Sequence, residues 1–468
     1  MATLTFRTRV AASPEALRAW HARPGVLTLL TPPWERVEVE REAAPLEPGS
    51  QASLRIAVGP LRVRWVSTHE PTPEGFRDVQ VKGPFRSWVH EHRFLPDGEG
   101  GAWLEDRLDY RLPGGALGSL LAGRAVRRRL ARAFRHRHAL TAHAVAMATQ
   151  RQGLPRRIAI TGSHGLVGSA LASHLAAQGD RVVRLVRGEP QGPDERRWDP
   201  HGASLDPFAL AGVDAIVHLA GESISRRWTK ARRGEIMSSR AEGTRLLAQA
   251  AAAAGVRTFV CASAVGWYGD SGEREVDEGD PRGRGYLADV VEAWEGATRP
   301  AADAGVRVVS ARFGIILSPR GGALPRMLLP ARLGAGGPIA GGRQWWSWVD
   351  LDDVVGALDH SLSHDDVKGP MLVVSPHPVR NDEFARVLGR VLRRPSFVPL
   401  PAFAARLALG EMADELLLSS CRARPAKLLA SGYRFAHPDL EGSLRHQLGR
   451  PAAGGRDVSG DSNTARRI

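Results

Sequence analysis

Cysteine is nearly missing from this chain, with Cys261 and Cys421 the two among 468 residues. That excludes a disulfide framework and points to a reducing compartment. Long apolar runs are missing too. No stretch reaches the roughly 20 uninterrupted apolar residues of a membrane helix. The opening Met1-Ala-Thr-Leu-Thr-Phe-Arg lacks the basic-then-apolar layout of a secretory signal. A cytoplasmic protein with no membrane partner is expected. Lysine is confined to Lys82, Lys230, Lys368 and Lys427, so the formal net charge of +14 is carried almost wholly by arginine. With the abundant alanine and glycine, this is the bias of a GC-rich genome, and it calls for no nucleic-acid partner. The densest basic run, Arg124 to His138, interleaves with Val126, Leu130 and Phe134 at helical spacing, which predicts a helix with a solvated basic face. Metal-ligand clusters are missing as well. The pairs His90/His92 and His136/His138 have no cysteine or carboxylate cluster at ligand spacing, so they read as surface residues and no metal is expected.

What is present divides into parts, because this length exceeds one ordinary hydrophobic core. Before a break near Arg151–Pro155, Pro14–Trp20 reads as a helix with Ser13 as its cap. Val37–Arg41, Ser53–Val58, Val63–Thr68, Phe76–Val81, Trp88–Phe94 and Ala102–Leu112 read as strands, and Gly118–Ala148 as a long helix. Residues 1–150 thus form an α+β domain. Over 155–390, strands at Arg157–Thr161, Arg181–Val186, Ala215–Leu219, Thr258–Ala262, Val306–Arg312 and Met371–Val374 alternate with helices at Leu166–Gln178, Ala241–Ala254 and Asp289–Ala304. That alternation predicts an α/β, doubly wound parallel sheet. Residues 391–450 read as a small helical region and 451–468 as a disordered tail.

The strongest motif follows Ile158-Ala-Ile-Thr161, where Gly162, Gly165 and Gly168 stand between a strand and a helix. Such glycines allow a tight turn and let backbone N–H groups approach a pyrophosphate at a helix N-terminus. The loop residues Gly162, Ser163, His164, Gly165, Leu166, Val167 and Gly168 are the candidate dinucleotide cradle. The next strand ends in Arg187, where an NAD site usually places Asp or Glu for the ribose hydroxyls. A cation there suits a 2′-phosphate, so NADP(H) is the expected cofactor.

These residues resemble the extended short-chain dehydrogenase/reductases. So do Val217-His-Leu-Ala-Gly221, Arg240-Ala-Glu-Gly-Thr-Arg-Leu-Leu247, Ala262-Ser-Ala-Val-Gly-Trp-Tyr-Gly-Asp270 and Trp346-Ser-Trp-Val-Asp350. Gly221-Glu-Ser-Ile, Arg227-Trp-Thr, Gly336-Gly-Pro and Gly410-Glu-Met-Ala-Asp-Glu are similar to one atypical branch, the epimerase family with a C-terminal domain of unknown function. The resemblance implies a Rossmann-type fold and adds Leu219, Ala220, Gly221 and Arg240 to the cofactor contacts. Val79-Gln-Val-Lys-Gly-Pro-Phe-Arg-Ser-Trp88 and Asp109-Tyr-Arg-Leu-Pro-Gly-Gly115 resemble START-like, polyketide-cyclase-like domains. That implies a helix-grip fold around an apolar cavity with an apolar ligand.

The dehydrogenase chemistry implied by the resemblance uses a Tyr, a Lys four residues on, and a Ser. Here Tyr286 occupies the Tyr position, Val290 the Lys position and Ala264 the Ser position, with Ser263 one residue early. Tyr286 reads either as acid/base, aided by Arg282, Arg284 or the cofactor, or as a packing residue. Ser263 either polarises a carbonyl or bonds its own backbone. Glu222 and Ser223 lie where substrate usually approaches, and Trp345, Trp346 and Trp348 line a pocket or fill a core. Cys261 reads as an inert core thiol. Two classes remain open. One is an NADP(H)-dependent oxidoreductase or epimerase acting on a small hydroxyl or carbonyl substrate. The other is a non-catalytic NADP(H)-binding sensor or regulator, a role linked to cell division in relatives.

Overall fold

The computed structural model describes residues 1–451 apart from 44–45, 60, 151–153, 201, 203 and 207. The expected break at Arg151–Pro155 and the expected tail fall largely outside them. The chain forms two compact units, one built on Met1–Pro155 and one on the chain from Arg156, with Ser173–Asp180 grouped with the first.

The first unit runs β1 (Ala2–Val10), α1 (Pro14–His21), α2 (Val26–Leu29), β2 (Val37–Arg41), β3 (Gln51–Val58), β4 (Leu61–Thr72), β5 (Gly75–Lys82), β6 (Ser87–Pro96), β7 (Ala102–Arg111) and α3 (Gly115–Gln150). Its seven strands form one antiparallel sheet in the order β1-β7-β6-β5-β4-β3-β2. β1 was not among the expected strands, yet it alternates buried Leu4 and Val10 with exposed Thr5, Arg7 and Arg9, the period of a half-buried strand. α1 begins as expected, with Ser13 Oγ accepting from Ala16 N at 3.2 Å.

The interior of this unit has three zones. At one end Leu17, Trp20, Phe76, Phe94 and Leu104 pack together, and at the other Leu4, Trp88, Leu108, Tyr110 and Phe134. Between them the middle is polar. Alternation along β6 buries Trp88, His90, His92 and Phe94 in turn, and β7 buries Leu104, Asp106 and Leu108. His90, His92 and, from α3, His138 are each no more than 4% exposed, which corrects their reading as surface residues. The carboxylates around them, Asp78 and Asp106, come from the neighbouring strands β5 and β7. Sequence spacing could not show them, because strand register supplies them. The implied apolar interior is likewise polar at its centre. On α3, Arg127, Arg128 and Arg135 stay exposed while Phe134 is buried, the amphipathic division expected.

The second unit is a Rossmann-type layer. It runs β8 (Arg157–Thr161), α4 (Leu166–Ala177), β9 (Arg181–Val186), β10 (Glu195–Asp199), β11 (Ser204–Leu205), β12 (Ala215–His218), α5 (Lys230–Ala253), β13 (Thr258–Ala264) and α6 (Tyr286–Gly296). The sheet order is β11-β10-β9-β8-β12-β13, then the strands Arg307–Phe313 and Gly369–Val373. All pairings are parallel except β10 with β11. The order reverses between β8 and β12, and that switch point is where such sheets open a crevice. α5 starts earlier than expected, with Thr229 Oγ1 accepting from Arg232 N at 3.1 Å. The helix expected over Asp289–Ala304 is two, α6 and Arg299–Asp303, because Pro300 has no N–H and takes the first turn of the second. The C-terminal part is mainly helical, with Asn381–Leu392, Ala402–Leu409 and Leu440–Gln447 among its helices.

Candidate functional site

Between β8 and α4 the backbone makes a turn that only glycine fits. Gly162 has φ +65°, and a Cβ there would lie 2.9 Å from Leu219 C. A Cβ on Gly168 would lie 2.2 Å from the Gly162 oxygen. Gly165 N donates to that oxygen at 2.8 Å and closes the turn. Ser163 is 1% exposed, and its buried hydroxyl has no hydrogen-bond partner. Such an orphan at the start of a helix fits a phosphate oxygen. His164 and Gly165 are exposed, and Leu166 and Val167 are half-buried. The His164 ring stands outward, with Nε2 3.5 Å from Glu195 Oε1.

The opposite wall follows β12. Leu219 N and Ala220 N donate to Thr161 Oγ1 at 3.1 and 3.2 Å, and that hydroxyl lies 2.7 Å from His218 Nδ1. With two amides donating to it, the hydroxyl gives its proton to Nδ1, so His218 is the neutral Nε2–H tautomer. Burial, aided by the nearby Arg240 charge, pulls the His218 pKa down to about 3. Gly221 is exposed beside Arg240, whose Nη1 donates to Glu222 O at 3.0 Å and Ile236 O at 3.1 Å. The Arg240 guanidinium lies 4.8 Å from the Trp294 ring centre, and burial lowers its pKa to about 10. Arg187 stands exposed just beyond β9. Arg232 donates to Glu222 at 2.6 Å and holds that carboxyl below its usual range.

The two expected proton-transfer hydroxyls, Tyr286 and Ser263, each bond to another part of the protein. Tyr286 is 7% exposed at the start of α6, and its hydroxyl donates to Arg233 O at 2.8 Å. It packs with Ile236 and with Val290, which fills the position where lysine was missed. Burial raises the Tyr286 pKa, against the lowering charge of Arg233, whose guanidinium lies 4.2 Å from the ring centre. The cation beside the Tyr286 ring is thus Arg233. Arg282 is turned away into an ion pair with Asp289, and Arg284 is exposed. The Tyr286 and Leu287 amides donate to Glu415 at 3.0 and 3.2 Å, over Gly285 at φ +113°.

Ser263 is 2% exposed and donates to Glu295 Oε1 at 2.6 Å. Arg312 grips both oxygens of Glu295 at 2.8 Å and donates to the Tyr268 hydroxyl at 2.9 Å. Alternation on β13 sends adjacent side chains to opposite faces, so a one-residue shift takes Ser263 to the Glu295 side. Glu295, Arg312, Tyr268 and Glu415 escaped sequence reasoning. Arg312 carried a signal, as a lone charge inside a buried strand requires a partner. Trp346 and Trp348 belong to a core cluster, whereas half-buried Trp345 lies between the guanidiniums of Arg380 and Arg422. Cys261 is 1% exposed and burial pushes its thiol pKa up, the inert thiol expected.

This geometry has counterparts among known proteins. The profile of the NAD dependent epimerase/dehydratase family matches residues 158–374. A domain of unknown function, DUF1731, matches 400–447, and the polyketide cyclase/dehydrase and lipid transport family matches 10–139. An epimerase family protein of Mycobacterium tuberculosis is 44% identical over 295 residues, covering 63% of this chain and 98% of that protein. The chain belongs to the epimerase family. The epimerase family protein SDR39U1 of Homo sapiens is 37% identical over 295 residues, 62% of this chain and 98% of its own. The crystal structure of human SDR39U1 with NADPH matches with TM-score 0.58 and 34% identity, over 62% of this chain and 99% of that one. A nucleoside-diphosphate sugar epimerase from Corynebacterium glutamicum matches with TM-score 0.79 and 31% identity, over 95% of this epimerase-family chain and 90% of its own. Among the described residues no helix is long and apolar enough to cross a membrane.

Proposed function

We propose that the chain is an NADP(H)-dependent oxidoreductase or epimerase acting on a small hydroxyl or carbonyl substrate. The observation that carries this is the cradle. Gly162, Ser163, His164, Gly165, Leu166, Val167 and Gly168 form one side; Leu219, Ala220, Gly221 and Arg240 form the other. Arg187, exposed just beyond β9, is the residue assigned to a 2′-phosphate, which its bidentate fork suits. The human relative crystallised with NADPH supports the same cofactor. A bound nicotinamide supplies hydride exchange. The chain's part is to hold the dinucleotide and to move a proton, and Tyr286 with Arg233 beside it is the group assigned to that proton. The first unit would hold an apolar or mixed ligand of its own.

A second reading, an NADP(H)-binding regulator without turnover, is favoured by one observation. Both candidate hydroxyls are already engaged inside the protein, Tyr286 with Arg233 O and Ser263 with Glu295. Fluorescence titration with NADPH and NADH, followed by a screen for NADPH oxidation, separates the readings. Turnover that disappears in Tyr286→Phe with NADPH affinity unchanged supports the enzyme. NADPH binding with no turnover on any hydroxyl or carbonyl substrate supports the regulator, and binding of neither nucleotide overturns both.

A further inference from the structure

The middle of the first unit contains buried ionisable groups to which the dinucleotide chemistry gives no task. His90 and His92 point inward from β6, and strand register sets Asp78 of β5 opposite His90 and Asp106 of β7 opposite His92. The ligand atoms of Asp78, His90 and His92 lie within 4.8 Å of one another. His92 Nε2 is 3.8 Å from Asp78 Oδ2. A tetrahedral zinc ion with bonds of about 2 Å spaces its ligand atoms by roughly 3.3 Å, so a small inward shift brings these groups to bonding distance. His90 Nε2 is buried and has no hydrogen-bond partner, with Asp106 Oδ1 3.5 Å away.

The surroundings place a carboxylate beside the second nitrogen of one imidazole. A ligating histidine keeps its other ring nitrogen on a carboxylate, which fixes the tautomer. His92 Nδ1 lies 2.8 Å from Asp106 Oδ1, close but outside hydrogen-bond geometry, while Nε2 faces Asp78. Asp106 is itself fixed, with Oδ2 3.1 Å from His138 Nε2, and His138 Nδ1 is 3.0 Å from Thr8 Oγ1. His69 of β4 contacts Asp78 on its other side, and the His21 ring centre is 5.7 Å from that of His92. Arg137 interacts electrostatically with both carboxylates, and against the lowering effect of burial Asp106 and Asp78 raise the His92 pKa to about 9, so a metal ion at His92 displaces its proton. A cleft of about 680 Å³ lined by Arg18, His69, Phe76 and Phe94 reaches His69, which stands between it and Asp78.

We propose that Asp78, His90 and His92 hold a divalent transition-metal ion of the zinc class, with Asp106 as the positioning carboxylate. Two imidazoles and one carboxylate suit such ions. Three protein ligands leave one coordination position for water or an oxygen ligand.

The test is equilibrium dialysis of the full chain against Zn²⁺ with a competing chelator, together with the visible spectrum after Co²⁺ loading. Asp350, Asp352, His437 and His446 of the second unit also bring ligand atoms together, so His446→Gln is the control. One equivalent should bind, persist in His446→Gln, and be lost in His90→Gln and His92→Gln. Asp106→Asn should weaken binding about 10- to 100-fold. No stoichiometric uptake, or uptake kept in His90→Gln and His92→Gln, overturns the proposal. If the ligand variants do not fold, Co²⁺ decides on His446→Gln alone. Bands of a tetrahedral N/O site support the site, and the spectrum of the aquo ion overturns it.

Discussion

Arg312 donates through Nε and Nη2 to the two oxygens of Glu295, both at 2.8 Å, so one buried carboxylate is held by a fork of two hydrogen bonds. Ser263 adds a third at 2.6 Å. The pair joins the sheet to α6, the helix that carries Tyr286. Arg312→Met leaves Glu295 charged and unpaired, and such losses cost about 3–5 kcal/mol. Ser263→Ala removes a hydrogen bond to a charged group, worth about 1.5–3 kcal/mol. Urea melts of both variants measure this. A Ser263→Ala protein with unchanged stability and abolished turnover would restore Ser263 to a substrate-polarising role.

At Gly168 the clash with the Gly162 oxygen is with backbone and cannot be relieved by rotating a side chain. Gly168→Ala should therefore weaken NADPH binding at least tenfold while the first unit melts unchanged. Isothermal titration of the variant checks it. Wild-type affinity would mean that the loop does not hold the pyrophosphate.

Arg187 is exposed, and the 2′-phosphate it is proposed to hold is present in NADPH and absent from NADH. Hydrogen bonds to charged groups are worth about 1.5–3 kcal/mol, so Arg187→Ala should weaken NADPH binding about 10- to 100-fold. NADH affinity should stay within about twofold. Competition between the two nucleotides on the variant reads the ratio, and equal losses for both would place the 2′-phosphate elsewhere.

Buried His218 gives the second unit a sensitivity to acid. Its pKa of about 3 in the folded protein lies below the unfolded value near 6.5, so the unfolded chain binds the proton first. Stability from this group is complete above pH 6.5 and falls as pH drops toward 3, by up to about 1.4 kcal/mol per pH unit. Chemical unfolding of the wild type and His218→Gln between pH 7 and 4.5 compares the slopes. The variant should lose close to one proton of pH dependence, and identical slopes would contradict the assignment.

Short-range features were legible in the sequence. Gly162, Gly165 and Gly168 announce their turn because strand, loop and helix are consecutive. Ser13 and Pro14 likewise fix the start of α1. Features made by register were not. Asp78 and Asp106 meet His90 and His92 across three strands, and no spacing along the chain encodes that meeting. β1 escaped because its alternation is carried by Leu4, Phe6 and Val10 among arginines and threonines. Tyr286 was visible as a residue type, but the group its hydroxyl bonds belongs to α5, 53 residues earlier.

Glu415 belongs to the stretch matched as a domain of unknown function, yet its carboxylate clamps the first two amides of the helix that begins with Tyr286. The border drawn between the two segments by similarity is thus not a border for assembly. A chain ending before residue 400 would retain every residue of the dinucleotide cradle and lose the clamp beneath its candidate acid. Recombination between the two segments would leave the cradle and Tyr286 together but take away the carboxylate that holds the start of the Tyr286 helix.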